Sequence, residues 1–337
     1  MWRFARGAHH AAGLVVPLSI SYHRGAQVVA CRRAMSDAGG EWRCAFFDRE
    51  PHALFGEDVK TRSAILFHRS ASVDAEPGSK AVVYSSPLMK WTSRSRHRLF
   101  DSITFTRIGE YDLADGIPKL EGDRQAQAAS GLKRRSGWLC ELWTRASTCR
   151  LAEAFEPVSQ PRVFVGSTAY NFLNVFRPHK LPAIGPEPLS ENPVLALEFR
   201  NEADACVVFS ILNSRLVFWW WHVQSDGFHV PRWFLASIPF GRTAFAESQR
   251  TALANLGERF WNCNRDYPVL SLNRGRRSIA YRPFQCEAVR DQIDGVLLDA
   301  ASLDQEFGAE LRAFVRNTVV VDDADRRRVA RGGGFQY

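Results

Sequence analysis

Between Pro77 and Phe100 the chain carries no acidic residue, while Lys80, Lys90, Arg94, Arg96 and Arg98 accumulate. Cations placed this way can neutralise successive backbone phosphates of a nucleic acid. The plainer reading of such a run is a solvated helix face. A second basic pair, Lys60 and Arg62, alternates with Thr61 and Ser63. That pattern suits phosphate contact and an exposed strand edge equally. A third candidate is Ser225 to Arg232, short, polar and centred on Asp226-Gly227. It has the composition of a turn that offers His229 and Arg232 outward. Arginine is the commonest reader of guanine in the major groove, so this loop is a candidate for contact with base edges. The aromatic run Phe218-Trp219-Trp220-Trp221 spans a full helical turn, and core packing explains most of it.

Other chemistries find less support. No Cys-x-x-Cys occurs, Cys140 and Cys149 lack a second pair, and His9-His10 is short of ligands, so no metal site is expected. There is no Gly-x-Ser-x-Gly, no paired-histidine motif and no carboxylate cluster, which argues against an independent hydrolase or nuclease. The seven cysteines are an odd number and mostly sit in apolar runs such as Ala205-Cys206-Val207-Val208. Free thiols in a reducing, cytoplasmic compartment fit this better than a disulfide framework.

The elements that must position these residues follow from patterning. The chain has 337 residues, 45% apolar and 24% charged, with 44 basic against 36 acidic side chains and a formal charge of +8. That balance is mildly basic. No uncharged apolar stretch is long enough to span a membrane, since the run from Ile211 to Trp221 already contains Arg215. Pro17 interrupts the first apolar segment, so no signal peptide is expected. Gly13 to Ile20 reads as a buried parallel strand of an α/β domain. A helix from Ala26 to Ser36 stops at Gly39-Gly40, and strands are expected at Trp42–Phe47, Thr61–His68 and Lys80–Tyr84. A strand buried at the very start hints at a missing upstream part. Gly109 to Gly131 reads as polar and turn-like and holds the expected boundary, dividing the chain into 1–112 and 113–337. The second half reads as mixed α+β. It has strands at Val163–Val165 and Val194–Phe199. Its helices start at Glu202, capped by Asn201 and carried on to Phe218, and run over Ala244–Cys263 and Cys286–Leu298.

Four segments, in this order, carry a resemblance. The first runs from Asp48 through Pro51-His52-Ala53-Leu54-Phe55-Gly56 and Val59-Lys60-Thr61-Arg62 to Leu66. The second is Ile117-Pro118-Lys119-Leu120. The third is Leu212-Asn213-Ser214-Arg215 with its aromatic continuation. The fourth is Ser225-Asp226-Gly227-Phe228-His229-Val230, closing on Ile238-Pro239-Phe240. Together they resemble the C-terminal half of adenine-specific DNA methyltransferases, in particular the fused methylase–endonuclease type of restriction–modification enzyme. The resemblance implies part of a doubly wound, Rossmann-like sheet followed by an α+β target recognition domain, gripping double-stranded DNA. The target adenine is rotated out of the duplex in that family, because its amino group is paired and stacked inside the helix. Phe55 matches a position whose ring packs against the extruded base there; a core phenylalanine is the equal alternative.

The family's Asn-Pro-Pro-aromatic loop and Gly-rich S-adenosylmethionine loop have no match. Asn192-Pro193 is followed by valine, and Gly332 to Gly334 does not follow a strand. The resemblance therefore places both before Met1, with no cofactor or catalytic residue in this chain and a separate chain as a potential supplier. Two functional classes stand. One is a recognition portion of an adenine methyltransferase, inactive alone. The other is a stand-alone DNA-binding specificity protein.

Overall fold

The computed structural model describes residues 11–55, 61–71, 79–91, 94–109, 112–169, 171–180, 187–281 and 286–319. The chain divides into two units, Met1–Arg134 with Trp220–Asp226, and Arg135–Trp219 with Gly227–Tyr337. The boundary expected after residue 112 falls inside the first unit. Both units mix helices and strands.

The first unit is built on a five-stranded sheet. Its elements are β1 (Ala11–Pro17), α1 (Ala26–Asp37), β2 (Glu41–Phe47), β3 (Ser63–Arg69), β4 (Val82–Met89), β5 (Thr106–Arg107) and α2 (Gly122–Lys133). The strand order is β1-β3-β2-β4-β5. β3 is antiparallel to both β1 and β2, whereas β2 and β4 are parallel. β2 lies in the middle and buries Cys44, Ala45, Phe46 and Phe47 completely, as a strand covered on both faces must. Between Cys44 and Phe46 its register against β4 shifts. Pro87 sits in that irregularity, where a missing N–H does least harm. The Ser86 hydroxyl accepts the Phe46 N–H at 3.0 Å in place of a ladder carbonyl.

Three expectations are corrected here. Gly13–Ile20 is not a buried parallel strand: β1 is an antiparallel edge strand, mostly exposed, with Val15 at 50%, and Leu18–Ser21 turns into a 3₁₀ segment. An apolar run reports hydrophobicity but not whether a second layer covers it. The turn-like stretch Gly109–Gly131 contains most of α2, whose alanine-rich face buries Ala128, Ala129 and Leu132 without a strong apolar period. The strand expected from Lys80 begins at Val82 and runs on to Met89.

Arg32 ties this unit together. It is fully buried, and its guanidinium donates to the carbonyls of Leu113 (2.6 Å), Ile20 (3.1 Å), His23 (2.9 Å) and Ala114 (2.8 Å). Four neutral acceptors satisfy the fork of donors without a counter-ion. Burial lowers its pKa to about 10.

The second unit has a four-stranded antiparallel sheet in the order β6-β9-β7-β8, from β6 (Arg145–Arg150), β7 (Arg162–Gly166), β8 (Val175–Phe176) and β9 (Pro193–Glu198). Helices α3 (Glu202–Leu212), α4 (Arg215–Gln224, assigned to the first unit from Trp220 on), α5 (Arg232–Ala236), α6 (Glu247–Asn264), α7 (Glu287–Ala300) and α8 (Gln305–Thr318) follow, with a hairpin of β10 (Pro268–Asn273) and β11 (Arg276–Tyr281) between α6 and α7. Asn201 caps α3, its side chain accepting the Asp204 N–H at 2.8 Å. The helix expected to continue to Phe218 instead breaks at Asn213-Ser214. There the Ser214 hydroxyl accepts from Val217 N–H at 3.1 Å and starts α4. Gly257 lets α6 lie against α3, because a Cβ there would stand 2.3 Å from the Cys206 carbonyl oxygen.

Phe218 to Trp221 are all buried, Trp219 edge-on to Phe307 at 5.0 Å and Phe218 5.9 Å from Phe314, so this run is core. No disulfide joins any of the seven cysteines; Cys44, Cys206 and Cys286 are buried and Cys31 is exposed. Among the described residues no helix is long and apolar enough to cross a membrane.

Candidate nucleic-acid interface

β2 and β4 run parallel and end at Phe47 and Met89, so the segments after them leave the same edge of the sheet. Ala45, Phe47, Trp91 and Leu99 form one buried cluster, against which Leu54, Met89, Ile103 and Phe105 pack. The loop that carries Phe55 and the turn that carries the arginines are thus seated on a common apolar base. Open α/β sheets bind ligands at such carboxyl ends.

Two rings stand out of this rim, Phe55 at 49% and Phe100 at 59% exposure. Phe55 is therefore not the core residue that its Leu54 neighbour suggested. Arg94, Arg96 and Arg98 are exposed and form no ion pair among the described residues. They do not make a helix face: Arg96–Arg98 is a single 3₁₀ turn. The Arg96 guanidinium lies 5.4 Å from the centre of the Trp91 ring, which fixes its direction. Lys90 follows β4 directly and is exposed. Lys80 precedes β4 and belongs to its other end. Lys60 lies outside the described residues.

Arg62 is not a phosphate-facing cation. Its Nε donates to Asp48 Oδ1 at 2.8 Å, and the two side chains are only 11% and 5% exposed. The pair fastens the start of β3 to the end of β2.

Within this unit the other sequence segments meet in a buried polar group. Lys119 is 4% exposed and donates from Nζ to the Val223 carbonyl at 3.0 Å, with the Phe46 ring centre 5.9 Å away. Burial outweighs the Asp226 charge and brings its pKa down to about 7. The Tyr22 hydroxyl donates to Asp226 Oδ2 at 3.4 Å, and burial together with that carboxylate raises the tyrosine to about 12. Ser225 and Asp226, expected in an exposed turn, are buried as part of this arrangement.

In the second unit the remainder of that turn behaves as expected, with His229 and Arg232 both exposed. Backbone bonds hold it: Ala169 N–H donates to Phe228 O at 2.8 Å and Val230 N–H to Ser167 O at 2.9 Å. Thr168, bridged to His229, also lines a cleft of about 320 Å³. Ser167, Asn171, Ser271, Asn273 and Ser278 supply hydroxyls and amides to it, and no charged residue lines it. Such groups can exchange donors and acceptors with a neutral polar surface such as a base edge.

Sequence reasoning missed the buried role of Lys119, the Arg62–Asp48 pair and the β10–β11 hairpin. The signal for the hairpin was the Asn273-Arg274-Gly275 turn between two strand-forming runs. Its central residues depart from the usual Asn-Gly.

No protein-family model matches the chain, and no curated protein matches it. Solved structures similar to it include a nuclease-deletion mutant of the Type ISP restriction–modification enzyme LlaGI in complex with a DNA substrate mimic. That likeness has 8% identity and a TM-score of 0.42, over 76% of this chain and 35% of that one. Another is the type IIG restriction endonuclease BpuSI, at 10% identity and a TM-score of 0.30, over 86% of this chain and 47% of that one. The chain spans between about a third and a half of the length of these proteins.

Proposed function

We propose that this chain is the DNA-recognising portion of a site-specific adenine methyltransferase of a restriction–modification system. The observation that carries the DNA-binding part is the rim beyond β2 and β4. There two exposed rings, Phe55 and Phe100, stand beside Arg94, Arg96 and Arg98, which no carboxylate neutralises among the described residues. Exposed aromatic faces and unpaired guanidinium groups serve stacking and phosphate contact together. The adenine-methyltransferase part rests on the order of the four sequence segments. S-adenosylmethionine would be the methyl donor of the complete enzyme, and this chain's residues are assigned no part in holding it.

The test is duplex binding by fluorescence anisotropy over a salt series. Affinity should fall steeply with salt, and Arg94→Gln, Arg96→Gln and Arg98→Gln should each reduce the log–log slope by about 0.9. A flat salt dependence would sink the reading. For the finer part, DNA immediately upstream of the coding sequence, read in every frame, is expected to encode a Gly-rich loop and an Asn-Pro-Pro-aromatic motif. Absence of both favours a stand-alone DNA-binding protein.

A further inference from the structure

The β10–β11 hairpin forms a two-stranded sheet of its own in the second unit. Its turn is Arg274-Gly275, with φ of 50° and 74°. Two successive positive values mark a type I′ turn, which glycine enters freely, asparagine readily and other side chains at a cost. Arg274 is exposed, and it makes no hydrogen bond or ion pair among the described residues. The two-residue turn requires the positive φ, but arginine is not the residue such a turn favours, and side chains kept in costly conformations concentrate where they do work.

β11 is held from Tyr281 up to Arg277, one residue pair from the turn, and only the turn itself is open. The Asn174 amide donates to Ile279 O at 3.0 Å and accepts from Tyr281 N–H at 3.0 Å. The Tyr281 hydroxyl pairs with His179 Nε2 at 2.5 Å. Arg277 exchanges backbone bonds with Pro188 O and Ser190 N–H at 2.8 and 2.7 Å, and its guanidinium pairs with Glu187. Past Arg277, at the turn, Asn273, Arg274 and Arg276 are exposed. Arg276 meets Glu191 at 2.9 Å, but both side chains face solvent, so that pair is easily exchanged for another partner. Asn273 is opposite Arg276 and Ser271 opposite Ser278, which puts these four side chains on one face. Three of them, Ser271, Asn273 and Ser278, line the uncharged cleft.

We propose that β10–β11 is a β-ribbon that enters the major groove of duplex DNA, with Arg274 and Arg276 at its tip reading base edges. The inference rests on the DNA-binding reading above. The groove admits a two-stranded ribbon, and arginine and asparagine make the paired hydrogen bonds that distinguish guanine and adenine there. The bonds along β11, from Tyr281 to Arg277, keep the turn in register.

Selection of duplexes from a random-sequence library by the full chain tests this, comparing wild type with Arg274→Asn and Arg276→Gln. Asparagine keeps the left-handed turn, so the thermal midpoint of Arg274→Asn should stay level or rise. Each variant should lose preference at one or two adjacent base pairs of the selected motif and bind that motif about tenfold more weakly. An unchanged motif and affinity in both variants overturns the hairpin proposal and leaves DNA binding by the chain intact. Equal weakening on every sequence makes these phosphate contacts and overturns base reading. Tighter binding of the single-stranded or RNA form of the motif overturns groove entry. Failure of the wild-type chain to bind any duplex overturns both proposals.

Discussion

Lys119 and Asp48 show how far a residue's role depends on what covers it. Both belong to segments that stand out in the sequence, and both are buried polar groups that hold the first unit together. Between the folded value of about 7 and the ordinary lysine value of 10.5, the unfolded chain binds the extra proton. Stability is therefore expected to rise with pH through that window and to be lowest below it. Lys119→Met should flatten the pH dependence of the thermal midpoint between about pH 7 and 9, a range that stays below the Tyr22 titration. Equal slopes in the two proteins would contradict the buried amine. Asp48→Ala leaves the Arg62 guanidinium buried without its carboxylate and should cost about 3 kcal/mol in chemical denaturation. The DNA salt slope of Arg62→Gln should match wild type. A lowered slope would restore Arg62 as a phosphate contact.

At the scale of elements, α4 explains why the third sequence segment is so distinctive. Arg215, at its start, is 4% exposed and faces α7. Its guanidinium pairs with Glu287, with Asp291 at 2.8 Å and with Asp294 at 2.6 Å, while its N–H donates to Asp294 Oδ1 at 2.9 Å. Burial raises the Asp294 pKa, and the Arg215 charge opposes that rise. Arg290, fully buried, pairs with Glu287 and stacks 4.0 Å from the Phe172 ring centre. Removing one member of such a network strands the others. Arg215→Ala should destabilise the second unit by about 3–5 kcal/mol and speed hydrogen exchange in both α4 and α7. Protection lost from α4 alone would mean that the network does not couple the two helices. Apolar runs, caps and stops found α1, α3, α6 and α7, whereas α8, with a marked apolar face, was not predicted. Periodicity missed α2, whose buried face is alanine, and it ran α3 into α4 because an Asn-Ser break interrupts no apolar pattern.

For the whole molecule, the charge of +8 matters by where it sits. Arg24, Arg43, Arg162, Arg215 and Arg250 are neutralised by carboxylates within their own units. Arg94, Arg96 and Arg98 in one unit, and Arg232 and Arg274 in the other, are exposed and unpaired among the described residues. Other exposed arginines, among them Arg33, Arg107, Arg200 and Arg312, form no ion pair among the described residues either, so electrostatic affinity for DNA should follow which of these cations face the duplex rather than net charge.

The sequence by itself determined the mixture of helices and strands, the core fate of Phe218 to Trp221, the outward placement of His229 and Arg232, and the concentration of cations after Met89. These follow from composition and period, which are local properties. Only the tertiary structure decided that Arg62 and Lys119 are buried, that Phe55 is open, that β1 is an edge, and that β10 and β11 pair into a hairpin with Arg274 at its exposed turn. Each of those depends on which distant segment lies opposite, and spacing along one chain does not encode that.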